Sequence, residues 1–512
     1  MRTPPTRRTR RAVFFIRPSQ FWRFWRRHLD RCVPMSSHRA STPPNAASAL
    51  GSAEGPAPGQ SPRSGATPVA DSTMGARRLG PIVAGSLITG LVAAIVLVAI
   101  PFAGTAENVI TATGLFGFAL GWALLALLSV RWTGQPQRWA AVPAALLAVA
   151  GAGLLLWPNA VRYDAFAWAW PAVLLALVIW MTVRARQDLR SPTRRWLLYP
   201  IFALLGLAAV AGGYENAREL LDRRRYTMPG RLVDVGGRRL HVNCTGAGSP
   251  TVVLLPGFGE TSSMWGWIAP AVARGAQVCV YDRAGRAWSE SEPGPQDGDA
   301  LAADLHALLQ RAGEAGPYVL VGHSLGGLGV LTFASRYPEQ VAGVVLLDAT
   351  HPEMFTRVPT YPAFYETYRR ILALFPSLAR VGIGRVAYRS SFDNLPAQAR
   401  AEERAMWSTA RLARSQRDEW VAVPRVMRQA RSLTTLGNRP LIVVTAGRDA
   451  QAGWMPLQLD LVSLSSNSAH RVLPNAAHMS LTDDASDAAA SSQAIADVVA
   501  AVRDGQPLAN HE

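Results

Sequence analysis

Hydrophobic and polar positions divide the chain into stretches of different pattern. Residues 1–78 are rich in Arg, Pro, Ser, Ala and Gly and show little hydrophobic period. Such a composition buries too little apolar surface to offset the entropy of ordering, so a disordered tail is expected. Long apolar runs occupy residues 79–213, and short apolar runs alternate with helical stretches over residues 231–512. Residues 214–230 are expected to link these two parts.

Apolar runs in the middle stretch have the length of membrane-spanning helices. Each is close to the ~20 residues that a helix needs to cross about 30 Å of hydrocarbon, and none carries a charge in its interior. The pattern predicts an all-helical, multi-span transmembrane domain. The predicted spans are Pro81–Phe102, Val109–Val130, Trp139–Trp157, Ala165–Val183 and Trp196–Gly212.

The distribution of Arg predicts the orientation of these spans. The tail and the loops after the second and fourth runs are rich in Arg, whereas the loop after the first run has none and the loop after the third has only Arg162. Cytoplasmic loops carry the excess of basic residues. The tail is therefore expected in the cytoplasm and the C-terminal half outside the cytoplasmic membrane. Arg218 and Arg223–Arg225, directly after the last run, argue mildly against this orientation.

The C-terminal stretch has the pattern of an α/β domain. Continuous Val, Leu and Ile runs are typical of parallel strands covered on both faces, and helical stretches between them indicate a mostly parallel, doubly wound sheet. Between the strands the pattern is interrupted at about residues 349–439 by amphipathic helical sequence, which predicts an inserted lid. The predicted strands are Arg231–Val235, Leu240–Cys244, Thr251–Leu255, Gln277–Tyr281, Tyr318–Val321, Gly343–Leu347, Leu441–Thr445 and His470–Leu473.

Composition and charge argue against nucleic acid and metal ions as binding partners. The formal net charge is +17, but every basic residue apart from His is Arg, and Arg clusters in the tail and between the apolar runs. Membrane topology accounts for that clustering, and no basic stripe interleaved with aromatic residues occurs in the C-terminal half, so nucleic-acid binding is not expected. Cys32, Cys244 and Cys279 lack metal-ligand spacing. Cys244 and Cys279 lie on two predicted strands, either as a disulfide or as two buried thiols.

The segment Gly322-His-Ser-Leu-Gly326 has the G-x-S-x-G pattern of a nucleophile elbow, with an apolar run before it and a helical stretch after it. Ser324 needs a base to take its proton and an acid to orient that base. His478 follows the last predicted strand and Asp449 follows the strand before it, in the order expected for this elbow. Asp348, at the end of an earlier strand, is the alternative acid.

Two backbone N–H groups are expected to stabilise an oxyanion formed at Ser324. One belongs to Leu325, immediately after the serine, and the other to Phe258, in the loop after the third predicted strand. This set of residues requires neither a metal nor an organic cofactor.

These motifs, taken in order, resemble the α/β-hydrolase superfamily of the serine esterase and lipase type, over about residues 231–503. Two positions depart from the usual pattern: Pro256 precedes Gly257 where many relatives have His, and Ala287 stands where a second Gly is usual. The transmembrane stretch resembles no family. The matching motifs are Leu254-Leu-Pro-Gly-Phe-Gly259, Tyr281-Asp-Arg-Ala-Gly285 with Ser289, Gly322-His-Ser-Leu-Gly-Gly327, Ala446-Gly-Arg-Asp449 and Ala477-His478.

The resemblance implies a membrane-anchored serine hydrolase that forms an acyl-serine on an ester, thioester or amide, with a small-molecule or lipid-derived acyl substrate. Haloalkane dehalogenases and epoxide hydrolases of the superfamily have Asp at the elbow, so Ser324 points away from their chemistry. An acyltransferase that uses the same residues is one alternative. A membrane protein that binds a ligand or partner through a non-catalytic hydrolase fold is the other.

Overall fold

The computed structural model has an N-terminal helical bundle and a C-terminal α/β domain. It describes residues 70–99, 106–157, 160–189, 192–291, 294–448 and 450–508 of the 512-residue chain. The sequence predicts a disordered tail over residues 1–78, and residues 1–69 of it lie outside the described residues. The first helix begins at Ala70, within the last part of that tail.

The described residues of the N-terminal part form five long helices, as the sequence predicts. Each contains a segment long and apolar enough to cross a membrane by length and composition. Large apolar side chains such as Leu127, Val149 and Leu207 are exposed on these helices, which is the pattern of helices that face lipid tails. The helices are α1 (Ala70–Ala99), α2 (Glu107–Trp132), α3 (Ala141–Leu156, after a 3₁₀ turn at Arg138–Ala140), α4 (Ala160–Asp188) and α5 (Pro192–Arg225).

Helix α5 is longer than the sequence pattern indicates. The apolar run ends at Gly212, but the helix continues to Arg225, so the expected linker, residues 214–230, is helical over most of its length. Hydrophobic pattern alone misses this extension because its residues are polar while the backbone hydrogen bonds continue.

The C-terminal domain is built on one eight-stranded sheet of order β1-β2-β4-β3-β5-β6-β7-β8. Strands β3 to β8 run parallel, and β1 and β2 are joined to them in antiparallel pairs. The mostly parallel sheet predicted from the sequence is confirmed. The strands are β1 (Arg231–Asp234), β2 (Arg239–Thr245), β3 (Val252–Leu255), β4 (Val278–Tyr281), β5 (Tyr318–His323), β6 (Val341–Leu347), β7 (Leu441–Ala446) and β8 (Ser468–Leu473).

Helices cover both faces of this sheet because successive strand residues point to opposite faces. Val253 and Leu255 pack on one side, and Val252 and Leu254 pack on the other. The helices are α6 (Ile268–Val272), α7 (Gly298–Ala312), α8 (Gly326–Arg336), α9 (Met354–Arg357), α10 (Tyr361–Ala379), α11 (Ile383–Ala387), α12 (Ala397–Trp407), α13 (Ala410–Ala430), α14 (Trp454–Val462), α15 (Ser480–Asp483) and α16 (Ala485–Asp504), with 3₁₀ turns at Ser262–Trp265 and Pro338–Gln340.

Helices α9 to α13 form the lid, which is inserted between β6 and β7. The inserted helical lid predicted from the sequence is thereby confirmed. Its longest helix, α13, buries Trp420, Val423 and Met427 in the same core as α7 and α8. The lid is therefore packed onto the sheet domain rather than standing apart from it.

Ion pairs connect the lid to one end of the helical bundle. Arg380 Nε lies 2.7 Å from Glu107 Oε1, and its Nη2 lies 2.8 Å from Asp164 Oδ1. Arg414 of α13 also reaches Asp164, at 3.0 Å. Glu107 begins α2 and Asp164 lies near the start of α4, so both belong to the same end of the bundle. A further lid residue, Arg385, pairs with two acidic residues of α5, Glu215 at 2.6 Å and Asp222 at 2.8 Å.

Cys244 of β2 and Cys279 of β4 form a disulfide. They stand directly opposite each other in the antiparallel pair of strands. Of the two alternatives that the sequence leaves open, the structure has the bonded form.

Candidate active site

Ser324 stands in a sharp turn between β5 and α8. Its φ of +53° lies in the left-handed region that residues other than glycine rarely occupy. A Cβ atom at Gly326 would lie 2.2 Å from the carbonyl oxygen of Leu255, so only glycine permits this approach of two backbones. The turn therefore brings the start of α8 against the loop Leu255–Glu260.

Ser324 and His478 are brought together from distant parts of the chain. The Oγ atom of Ser324 lies 2.9 Å from Nε2 of His478, which lies in the loop after β8. The other ring nitrogen, Nδ1, lies 2.6 Å from Oδ2 of Asp348. The histidine side chain is 28% exposed, whereas the Asp348 side chain is buried. The three side chains form a continuous chain of contacts that opens to solvent at the histidine.

The carboxylate in this chain belongs to Asp348, which the sequence analysis ranked second. Asp348 follows β6, the direct neighbour of β5, and therefore stands one strand away from Ser324. Its Oδ1 accepts hydrogen bonds from Trp454 Nε1 at 2.7 Å and from the N–H of Ala446 at 3.3 Å. Asp449, the preferred acid of the sequence analysis, lies outside the described residues. Among the described residues, Asp348 is the candidate acid that contacts Nδ1 of His478, and the role of Asp449 stays a prediction.

The two N–H groups predicted to stabilise an oxyanion, those of Phe258 and Leu325, are available to donate a hydrogen bond to a ligand. In the described part of the chain, the N–H groups of Phe258 and Leu325 donate to no protein acceptor, although those on either side of Phe258 do. Gly257 N–H donates to Glu260 at 2.5 Å and Gly259 N–H donates to Glu419 at 3.2 Å. An anion next to Ser324 would find unsatisfied donors at these two backbone positions.

A buried ion pair lies beside these residues. Nδ1 of His323 lies 2.8 Å from Oε1 of Glu260, and both side chains are excluded from solvent. Burial opposes both charges, but their attraction and the hydrogen bonds to each group together outweigh it, which lowers the pKa of Glu260 and raises the pKa of His323. His323 Nε2 donates to the carbonyl oxygen of His478 at 3.0 Å. The pair therefore ties the loop of His478 to the loop that carries Phe258.

Three side chains that contact this site were not among the predicted site residues. Trp454 orients Asp348, and no motif marks a tryptophan at the start of the helix after β7. Glu419 of the lid accepts a hydrogen bond from Gly259. The two residues are 160 positions apart in the sequence, so no motif spacing could have linked them. The role of Glu260 had a weak signal, since a carboxylate directly after Gly-Phe-Gly lies within reach of the elbow.

Comparisons with known proteins agree with this architecture. Residues 250–485 match the family model described as alpha/beta hydrolase fold. An uncharacterized protein of Schizosaccharomyces pombe is 26% identical over 295 residues, which are 51% of this chain and 54% of that protein. A 2-hydroxy-6-oxononadienedioate/2-hydroxy-6-oxononatrienedioate hydrolase of Paraburkholderia xenovorans is 33% identical over 133 residues, 24% of this chain and 45% of that protein. A fluoroacetate dehalogenase of a Burkholderia species is 33% identical over 145 residues, 27% and 44% of the two chains.

The chain spans about half or less of the length of these curated relatives. Among solved structures, an esterase of Thermogutta terrifontis is 22% identical, with a TM-score of 0.43, over 53% of this chain and 98% of that one. A putative epoxide hydrolase of Pseudomonas aeruginosa is also 22% identical, with a TM-score of 0.46, over 54% and 96%. By its sheet and lid, and by the family match over residues 250–485, the C-terminal half of this chain is an α/β-hydrolase domain.

Proposed function

We propose that the protein is a membrane-anchored serine hydrolase that cleaves a carboxylic ester, thioester or amide through an acyl-serine intermediate. The observation that carries this proposal is the chain of contacts from Ser324 Oγ to His478 Nε2 at 2.9 Å and from His478 Nδ1 to Asp348 Oδ2 at 2.6 Å. A serine hydroxyl becomes a nucleophile when an imidazole accepts its proton and a carboxylate stabilises the imidazolium.

In the acylation step, Ser324 Oγ bonds to the substrate carbonyl carbon while its proton moves to Nε2 of His478. The carbonyl oxygen becomes an oxyanion, which accepts hydrogen bonds from the N–H groups of Phe258 and Leu325. Asp348 holds Nδ1 of the imidazolium. When the tetrahedral species collapses, the bond to the leaving group breaks and His478 gives that group its proton.

Deacylation repeats these steps with water. His478 Nε2 takes a proton from water as its oxygen bonds to the acyl carbon, and the same two N–H groups hold the second oxyanion. Collapse breaks the bond to Oγ, which recovers the proton from His478 and releases a carboxylic acid. Every proton is moved by the side chains of this chain, so the proposed cycle calls for no metal or cofactor.

We further propose that the acyl group is apolar and is presented at the membrane surface. The lid is tied to one end of the helical bundle by Arg380, Arg385 and Arg414. In the same part of the lid, Val386 is 60% exposed, so an apolar side chain faces outward close to the ends of the predicted spans. In this proposal, the carbon chain of a substrate leaving the bilayer contacts this surface on its way to Ser324.

The hydrolase domain is proposed to lie outside the cytoplasmic membrane. The Arg-rich loops after the second and fourth spans favour that side by the positive-inside rule. The Cys244–Cys279 disulfide supports the same side, because disulfides persist in oxidising compartments and are rare in the cytosol.

Fluorophosphonate labelling of membranes that contain the full chain tests the proposed activity. The parent protein is expected to be labelled, and Ser324→Ala and His478→Ala are expected not to be. Membranes with the parent protein should also hydrolyse p-nitrophenyl butyrate, and membranes with either variant should lack this added activity. If the parent resists the probe and the ester at every pH between 6 and 9, the hydrolase proposal is wrong and a binding role is favoured.

Substrate presentation is tested separately with long-chain esters in phospholipid vesicles. Val386→Asp is expected to reduce their hydrolysis while leaving that of p-nitrophenyl butyrate unchanged. Val472→Asp is the matched control, since Val472 is 43% exposed on β8, outside the lid and the bundle. Equal effects of the two variants on vesicle substrates would contradict presentation by the lid.

A further inference from the structure

One carboxylate of the lid, that of Glu419, contacts the loop Leu255–Glu260 directly. Glu419 of α13 accepts a hydrogen bond from Gly259 N–H at 3.2 Å, and its Oε1 lies 2.9 Å from Nη2 of Arg283. It also pairs with the buried Arg286. A single lid side chain therefore contacts the backbone of this loop and pairs with two guanidinium groups.

Those two guanidinium groups hold the carbonyls of the same loop. Arg283 Nη2 donates to the carbonyl oxygen of Gly257, and Arg286 Nη1 donates to that of Glu260 at 2.9 Å. The carbonyl of Gly257 and the N–H of Phe258 belong to one planar peptide unit and point in opposite directions. A cation on that carbonyl therefore fixes the direction of the N–H to which we assign half of the oxyanion site.

The hydrogen bond from Arg283 also strengthens Phe258 N–H as a donor, because a charged donor at one end of a peptide group polarises the other end. Burial makes the arrangement depend on Glu419. Arg283 and Arg286 are largely or wholly excluded from solvent, and an unpaired buried charge is strongly destabilising.

The lid packs against the loop as closely as side chains allow. A Cβ atom at Gly259, whose φ is +73°, would lie 2.6 Å from Gln416 Nε2 and 2.8 Å from the Trp407 ring. The Phe258 ring meets Trp420, the neighbour of Glu419, edge to face with centroids 5.1 Å apart. The backbone and the ring of Phe258 are thus both held by consecutive residues of α13.

We propose that Glu419 is a positioning residue: through Arg283 and Gly259 it sets the direction of Phe258 N–H, so that the oxyanion site is complete only with the lid in place. This rests on the hydrolase function proposed above. Since Arg414 of the same helix pairs with Asp164 of the bundle, α13 links the membrane helices to the oxyanion site.

Kinetics of the full-length protein in detergent, with p-nitrophenyl butyrate, test the role of Glu419. Glu419→Gln is expected to lower kcat at least tenfold with little change in KM, because the N–H contact strengthens only in the transition state. The affinity for a boronic acid, which forms a tetrahedral adduct on Ser324, should fall by a similar factor. Glu419→Asp, which keeps the charge, should recover part of kcat.

The matched control is Glu366→Gln, because Glu366 is also a lid carboxylate paired with Arg residues but lies on the surface of α10. Its kcat should equal that of the parent. The variant Arg283→Gln/Glu419→Gln removes both members of one ion pair, so that Arg286 is left as the buried cation that loses Glu419. In the Arg283→Gln background, the added effect of Glu419→Gln should be much smaller than in the parent.

Three outcomes would count against the proposal. An unchanged kcat in folded Glu419→Gln overturns it, as does a rise in KM alone, which would indicate a role in substrate binding. Fully additive effects of the two substitutions also overturn it. A parent protein without Ser324-dependent hydrolysis would instead refute the hydrolase function on which the proposal rests.

Discussion

Nδ1 of His478 lies 2.6 Å from Oδ2 of Asp348, although 130 residues separate the two along the chain. Asp348 is held on its other oxygen by Trp454 and by the N–H of Ala446. With three donors directed at it, this carboxylate has its orientation fixed before any substrate arrives. An acid held in this way selects the tautomer of His478 that leaves Nε2 free to accept the serine proton.

Asp348→Asn is expected to lower kcat for p-nitrophenyl butyrate by about 10³- to 10⁴-fold, because an amide at this position favours the wrong histidine tautomer. The measurement is steady-state hydrolysis by the purified full-length protein. Asp449→Asn is the matched comparison and should retain activity within about threefold. A large loss in Asp449→Asn with activity retained in Asp348→Asn would restore the order that the sequence suggested.

The backbone at Ser324 supplies a prediction about stability. A residue with a side chain at φ +53° is strained by roughly 1–3 kcal/mol, and glycine relieves that strain. Ser324→Ala and Ser324→Gly both remove the hydroxyl, but the glycine variant should unfold at a higher temperature by the equivalent of about 1 kcal/mol. Thermal unfolding of both variants in the same detergent provides the comparison. A lower melting temperature for the glycine variant would mean that the strain is smaller than the stability lost because glycine makes the unfolded chain more flexible.

The sheet and the serine were predictable because their signals are local. Apolar runs such as Tyr318–Val321 mark the strands, and the small residues around Ser324 mark the turn that follows. His478 was predictable from chain order, since the loop after the last strand must end at the same sheet edge. Each of these inferences needs only neighbouring residues and the geometry of a parallel sheet.

The acid and the lid contacts were not predictable in the same way. Asp348 and Asp449 both follow buried strands, and their choice depends on which loop brings an oxygen to Nδ1, a matter of three-dimensional path. Glu419 sits in a helix with many Arg and Glu residues and has no motif. Its contacts with Gly259 and Arg283 arise from packing between segments far apart in the sequence.

The disulfide leads to a prediction about both stability and location. Replacing Cys244 and Cys279 with Ser should lower the free energy of unfolding by roughly 2–4 kcal/mol, because the unfolded chain regains the freedom of the closed loop. In intact cells, a maleimide reagent should label these cysteines only after reductant is added. A reporter fused after Glu512 should be active on the outer side of the membrane. Labelling of both thiols without reductant, together with a cytoplasmic reporter signal, would place the domain inside.

The carboxyl group of Glu403 is expected to make the free energy of unfolding of the C-terminal domain depend on pH. It is a buried residue of the lid helix α12, where Thr261 Oγ1 donates to it at 2.5 Å, and burial raises the pKa of its carboxyl to about 8. The folded protein therefore keeps this proton at neutral pH, whereas the unfolded chain releases it above the ordinary pKa of 4.5. The contribution of Glu403 to stability is complete below pH 4.5 and declines as the pH rises towards 8.

Glu403→Gln removes this titration while keeping nearly the same shape. Its melting temperature should match that of the parent near pH 5 and exceed it near pH 8, by the equivalent of at least ~1 kcal/mol. Glu366→Gln serves as the control, since hydrogen bonds from Arg369 hold the pKa of Glu366 below its usual range and out of this window. If the difference in melting temperature between the parent and Glu403→Gln stays constant from pH 5 to 8, Glu403 is already ionised in the folded lid and the prediction is wrong.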